Sequence, residues 1–430
     1  MLCLAVAVCA CSAENESPCA GRMDRSRLNI GTYFLQPYAR TEQHVSDLAD
    51  CGIDFVIGMP DSTAVLDLFS KYGVGAVVSG IFPGWWGGDG DNAGLLSERN
   101  PLSAYDEAAK KFTDHPAVWG LDIGDEPSAL DFPHYGKVFA KVDGMFPGIF
   151  PYLNLYPNYA SVASNDGQQT VNQLGTQTYA EHISEYCRCV PSDYICYDFY
   201  LYSINVPKAY ENLRIVSDAC TASGRSMWIV LQVNSNRREE WITENELRFQ
   251  AYTAMAFGAE VITWACYTAG WWFNQVLDAG GEKTMQYDRL KAVNGELHAI
   301  GAPYMKYRRV STSFVGFADT LWLKEVNQPS VDSFSAGHVR SLCTEEASPL
   351  LVGRMEARDG SRGEALFVVS ADDPYDSGHA SHKVRFGLDG CAARRVHITG
   401  TDGSVVPFEC NDGVCSFSLD SNRAVLLEIK

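Results

Sequence analysis

The sequence predicts a (β/α)8 barrel followed by a small antiparallel β-sandwich, and three observations carry that prediction. From Leu28 to about residue 302, a short apolar run, a polar turn and a helical pattern repeat eight times. Beyond Pro303 the hydrophobic period changes to two, with Gly, Asp and Asn punctuating the runs. No Gly-rich phosphate loop follows the first run, which sets aside an open dinucleotide-binding sheet. Strands alternating with helices imply a parallel sheet, and eight repeats imply its closure.

Residues 1–27 read as a leader and N-terminal tail. Met1 to Ala13 is apolar but shorter than the ~20 residues of a spanning helix. It matches the apolar core of an export signal, without the basic flank. Val8-Cys9-Ala10-Cys11 loosely resembles a lipobox, which would lipidate Cys11; a plain cleaved signal is the alternative. Either way the chain is expected to be exported, secreted or lipid-anchored at the cell surface or periplasm.

The barrel is expected over residues 28–302. Its eight runs are Asn29–Leu35, Phe55–Met59, Ala76–Gly80, Val118–Gly124, Phe150–Leu155, Tyr194–Tyr200, Met227–Val233 and Val261–Tyr267. His44-Val45-Leu48-Ala49 and Val65-Leu66-Leu68-Phe69 show the spacing of amphipathic helices. Thr243 followed three residues later by Glu246 is a capping box that opens a helix to about Phe257. Cys51-Gly52, Tyr72-Gly73 and Phe257-Gly258 read as helix stops. The sandwich, residues 303–430, is read from Ala365–Val369, Lys383–Phe386, Arg395–Ile398 and Ala424–Ile429. No low-complexity linker separates the two parts, so they are expected to pack together.

Composition excludes several functions. Lys and Arg number 34 against 53 Asp and Glu, a formal charge of -19, so nucleic acid is repelled rather than bound. No transmembrane span is expected beyond a lipid anchor. There are 14 cysteines, and in an exported chain some should pair. Cys410 and Cys415 flank Asn411-Asp412-Gly413, a hairpin turn signal. Cys51, Cys220 and Cys266 lie in apolar runs and read as inert thiols, while Cys187, Cys189 and Cys196 match no zinc spacing. Asp89-Gly90-Asp91-Asn92 lacks the twelve-residue calcium pattern. No metal or cofactor is therefore expected, and nothing in the sequence speaks to oligomeric state.

The chemistry is expected at the C-terminal ends of the strands. The fourth run ends Asp122-Ile123-Gly124-Asp125-Glu126-Pro127. Carboxylates crowded at one strand end raise one another's pKa, as a general acid near neutral pH requires. With period two, Asp122, Gly124 and Glu126 would share the inward face. Aromatics follow other strands: Trp85 and Trp86, Tyr156 and Tyr159, Tyr200 and Tyr202, then Trp264, Tyr267, Trp271 and Trp272. Aromatic faces stack on the C–H faces of sugar rings, so such a rim suits a carbohydrate cleft. Asn154 and Gln232 are candidates for hydrogen bonds to sugar hydroxyls. His115 and His134 flank the fourth strand as structural residues.

His115-Pro116-Ala117-Val118-Trp119-Gly120 leading into Gly124-Asp125-Glu126-Pro127 resembles the fourth-strand signature of retaining glycoside hydrolase barrels. The resemblance implies a glycosidase acting on an oligo- or polysaccharide, with Glu126 as general acid/base. Those enzymes carry a second Glu, the nucleophile, on strand seven, where this chain has Gln232. Three replacements stay open. Asp198 of Tyr197-Asp198-Phe199-Tyr200 would serve as nucleophile or base. Glu239, Glu240 or Glu244 would reach in from the next loop. In the third, the substrate's own N-acetyl group attacks, with Asp125-Glu126 resembling the Asp-Glu pair of β-hexosaminidases. Asp125 and Asp198 are thus the expected partners of Glu126. A non-catalytic glycan-binding barrel that has lost its nucleophile is the alternative.

Overall fold

Short apolar runs between well-capped helices fold here as parallel strands. The computed structural model describes residues 22–86, 92–161, 173–318, 320–323, 325–376, 378–389, 395–409 and 414–429. The leader with Cys11, the Asp89-Gly90-Asp91 segment and Cys410 lie outside the described residues. The strands are β1 (Asn29–Tyr33), β2 (Phe55–Met59), β3 (Gly75–Val78), β4 (Val118–Asp125), β5 (Phe150–Asn154), β6 (Tyr194–Phe199), β7 (Ser226–Gln232) and β8 (Ala259–Ala265). They pair in the order β5-β4-β3-β2-β1-β8-β7-β6. The ring closes between β5 and β6 through a single parallel bridge, Leu155 to Tyr197. Below it the Tyr194 hydroxyl substitutes for the ladder, donating to the Pro151 carbonyl (2.6 Å) and accepting from the Leu153 N–H (3.1 Å).

Large rings fill the base of the barrel. Tyr194 stacks on Trp228 with centroids 4.0 Å apart, and Phe150 meets Trp228 edge-on. A side chain at Gly120 would put its Cβ 2.4 Å from the Phe150 ring, so neighbouring strands yield space where these rings sit.

The helices begin and end on the expected signals. Thr41 caps the helix Glu42–Asp50 by accepting from the His44 N–H. Thr243 and Glu246 form the capping box that opens Glu244–Ala256. Gly73, left-handed at φ 70°, ends Thr63–Tyr72. A second capping box, Thr178 with Glu181, opens Tyr179–Cys189. No helix among the described residues is long and apolar enough to cross a membrane.

The last barrel helix, Met285–Tyr304, runs almost directly into the first sandwich strand, Tyr307–Val315. A seven-stranded sheet containing Tyr307–Val315, Leu350–Ala357, Glu364–Ser370 and Ala424–Ile429 faces a four-stranded sheet built on Ser381–Leu388. Their pairing is antiparallel except for the short strand Ser330–Val331, which runs parallel to Tyr307–Val315. Val352, Leu366, Val384, Phe386 and Leu427 fill the space between the sheets. The other face of the larger sheet packs on the barrel, and Leu351, Phe367 and Leu426 join the barrel's core. Glu296 links the two parts, accepting from Arg248 (2.9 Å) and Arg423 (2.6 Å). Cys415 is disulfide-bonded, whereas Cys51, Cys187, Cys189, Cys196, Cys220, Cys266 and Cys343 are free.

Candidate active site

The end of β4 departs from the expected alternation. Its register against β5 slips between Asp122 and Gly124, so Asp122 pairs with Tyr152 but Asp125 pairs with Asn154. This bulge puts Asp125 on the inward face beside Asp122, in place of the Gly124 and Glu126 expected from period two. Gly124 is required at that point: its φ is +154°, and a Cβ would lie 2.1 Å from the Tyr135 hydroxyl. Glu126 follows in the left-handed region, at φ 44°, with its N–H on the Asn154 carbonyl (2.9 Å). That turn sends its carboxylate sideways to Trp86, whose indole N–H donates to Oε2 at 2.7 Å. The Trp85-Trp86 segment is itself fixed to this strand end, since the Asp125 N–H donates to the Trp85 carbonyl (3.1 Å).

Asn154 is the hinge of the inner cluster. Its Nδ2 donates to Asp125 Oδ1 (3.2 Å) and to Asp198 Oδ1 (2.8 Å), so the two bridged oxygens lie at most about 6 Å apart. Its Oδ1 accepts from the Cys196 thiol (3.5 Å), which fixes the amide's orientation. The Tyr159 hydroxyl, 3.4 Å from Asp198 Oδ2, closes the group. Asp198 is only 3% exposed, while Asp125 keeps a solvent-facing edge at the floor of the cleft.

Partial desolvation at the crowded strand end and the charges of Asp198 and Asp122 push the Asp125 carboxyl up to about 7. Burial pushes Asp198 up to about 6 against the stabilising Asn154 bond. Burial likewise raises Asp122, which Ser79 (2.8 Å) and the Gly124 N–H (3.1 Å) hold in place. The Tyr33 and Tyr152 hydroxyls, 2.7 Å apart, line the same inner wall.

An aromatic run leads away from these carboxylates. Tyr33 meets Trp271 edge-on at 5.8 Å, and Tyr200 meets Trp271 and Trp272 at 6.2 and 4.6 Å. All four rings are half-buried. Trp86, 49% exposed, stands on the opposite side beside Glu126.

The structure thus brings together Glu126, Asp125, Asp198, Asn154 and Trp86 on one side, and Tyr200 and Trp271 on the other, while Trp85 reaches the strand end only through its backbone carbonyl, its indole nitrogen being buried. Four expected ligand contacts fall elsewhere. Trp264 points outward from β8, fully buried, with its indole N–H on Asn294 (2.9 Å). Tyr267 is also fully buried, and Tyr156 is 2% exposed. Gln232 spends its amide on the backbone and the loop after β6: Oε1 accepts from the Tyr202 N–H (3.0 Å), while Nε2 donates to Ser203 (3.2 Å) and to the Asn234 carbonyl (2.9 Å). Both its N–H donors are spent and the side chain is fully buried, so it is a structural clamp out of reach of a sugar hydroxyl. The loop carboxylates are also engaged, Glu240 with Arg237 (2.9 Å) and Glu244 with Arg248 (2.7 Å). Tyr33 and Tyr152 were missed by sequence reasoning. Their only signal is an inward position on a barrel strand, which core tyrosines share.

No family model and no curated protein matches this chain. Among solved structures it is similar to a Paenibacillus sp. cycloisomaltooligosaccharide glucanotransferase complexed with cycloisomaltoheptaose, at 8% identity and TM-score 0.54, covering 94% of this chain and 85% of that one. A GH30 endoxylanase from Clostridium papyrosolvens C71 aligns at 11% identity and TM-score 0.44, over 96% and 98% of the two chains. A family 5 mannosidase from Rhizomucor miehei aligns at 11% identity and TM-score 0.41, over 64% and 94%. At 8% identity the first of these likenesses shows the fold alone.

Proposed function

We propose that the protein is an exported glycoside hydrolase in which Glu126 protonates the leaving glycosidic oxygen and Asp125 is the second carboxylate that meets the substrate. The observation carrying this reading is the asymmetry of the inner pair: Asp125 is open to the cleft, whereas Asp198 is buried behind it and bonded at both oxygens. Burial weighs against Asp198 as the group attacking carbon, and makes it the charge that tunes Asp125.

The nucleophile is then the substrate's N-acetyl carbonyl oxygen. It attacks the anomeric carbon as Glu126 gives its proton to the departing oxygen, and the resulting oxazolinium ion is opened by water that Glu126 deprotonates. Asp125 orients the acetamido N–H and offsets the positive charge. Disulfide bonding of Cys415 supports export.

The test is a panel of aryl glycosides with and without a 2-acetamido group. The expected result is turnover of the N-acetylhexosaminides at least about 100-fold faster than of the matching hexosides, a loss of 2.7 kcal/mol or more when the internal nucleophile is missing. Comparable turnover of both, with Asp198 labelled by a 2-fluoro glycoside, would assign a protein nucleophile instead. The structural use of Gln232 favours one second reading, a barrel that binds glycans without cleaving them. Glycan binding with no turnover of any aryl glycoside would establish that one.

A further inference from the structure

A second place in the molecule combines an aromatic platform, an oriented carboxylate and a cavity, and none of it belongs to the barrel's inner cluster. The loop Asp372–Asp376 of the sandwich leans on the C-terminal side of the barrel. There the ring of Tyr375 meets that of Tyr202, in the turn after β6, at 5.8 Å. Tyr375 is 65% exposed, more than any other large hydrophobic side chain among the described residues. Asp373 accepts from the Tyr375 N–H (2.9 Å), which stiffens the loop. Beside it lies a cavity of about 400 Å³ lined by Trp322, Asp372, Asp373, Asp376 and His379.

Asp372 is held in one orientation. Its Oδ2 accepts from the Ser370 hydroxyl (2.8 Å) and meets His382 Nε2 (2.6 Å), and His382 Nδ1 is anchored in turn by Ser348 (2.9 Å). Both bonds fall on the same oxygen, so Oδ1 is left without a protein partner among the described residues. A free acceptor and a ring face are what a sugar's hydroxyls and C–H face need. The cavity lies within the ordinary size range of small-ligand sites. Three aspartates disfavour phosphate, sulfate or uronate groups. Among the described residues no three such groups converge to hold a metal ion.

We infer that this junction is a remote subsite for neutral sugar residues of the same glycan whose scissile bond reaches the barrel mouth, with Tyr375 as the stacking platform and Asp372 as the hydroxyl acceptor. The inference rests on the glycosidase reading for the identity of its ligand. The barrel therefore grips a chain of several sugars, and the sandwich contributes directly to substrate length preference.

The experiment uses the full chain and its Tyr375→Ala and Asp372→Asn variants, with chitohexaose and cellohexaose as calorimetric probes and an aryl N-acetylhexosaminide as the short substrate. The expected result is hexasaccharide affinity weakened about tenfold in both variants, with aryl-glycoside turnover and melting temperature unchanged in Tyr375→Ala. Hexasaccharide binding equal to wild type in both variants, or no binding of either hexasaccharide by the wild type, would overturn the subsite. If the wild type turns over no aryl glycoside but Tyr375→Ala still loses hexasaccharide affinity, the subsite stands and the catalytic reading falls.

Discussion

Asp125 and Asp198 titrate as a pair, and the sign of their shifts makes a direct prediction. Asp198's negative charge is one cause of the rise that brings Asp125 to about 7. Replacing it in Asp198→Asn should move the limb of the kcat/KM–pH profile due to Asp125 down by about one pH unit. An unmoved limb would mean that the coupling is not felt at the reacting group. Trp86 offers a second handle, because its indole N–H is bonded to the Glu126 carboxylate. Trp86→Phe keeps a ring at the rim but loses that bond. About a tenfold fall in kcat with little change in KM is expected, the size of a lost hydrogen bond to a charged group. A loss of substrate affinity with kcat unchanged would instead make Trp86 a binding platform alone.

At the scale of elements, the end of β4 decides which carboxylate faces the cleft. That Glu126 closes this strand was legible from Gly124-Asp125-Glu126-Pro127, and so was the crowding of acids around it. The bulge was not legible, because period two assigns alternate residues to one face and an extra residue leaves no mark in composition. Gly124 was the one trace of it. Gly124→Ala brings a Cβ to 2.1 Å from the Tyr135 hydroxyl, and should cost about 2–4 kcal/mol of stability and most of the activity. Chemical denaturation would show it. Trp264 and Gln232 were misplaced for related reasons. Trp264 lies on the outward side of β8, bonded to Asn294, and strand-end position alone does not tell inward from outward. Gln232 sits where a nucleophile is expected, yet it has become a clamp for the turn after β6. Gln232→Glu cannot donate to the Asn234 carbonyl. It should therefore lower stability by about 1–3 kcal/mol and give no gain in turnover. Increased turnover in that variant would return strand seven to the chemistry.

For the whole molecule, the eight-fold rhythm and its switch to period two were legible because each strand is short, apolar and followed by a capped helix. Which sandwich loops touch the barrel was not, since Tyr375 and Tyr202 meet across more than 170 residues of sequence. The raised carboxyls of Asp198 and Asp125 also shape stability as a function of pH. Both bind a proton more tightly when folded than the ~3.9 of an unfolded Asp. The stability they contribute is therefore fully present below about pH 4 and lost as pH rises through about 6 and 7. Asp198→Asn, which removes this dependence at one site, should melt progressively higher than wild type as pH rises from 4 to 7. A melting difference that is constant across that window would contradict the raised value.

The central claim is that Glu126 gives and takes the proton at the barrel mouth. It is tested most directly by comparing turnover of an aryl N-acetylhexosaminide and calorimetric affinity for chitohexaose in Glu126→Gln and wild type. The account predicts turnover reduced about 1,000-fold or more with affinity within a few-fold of wild type. Turnover close to wild type in the folded variant would contradict it.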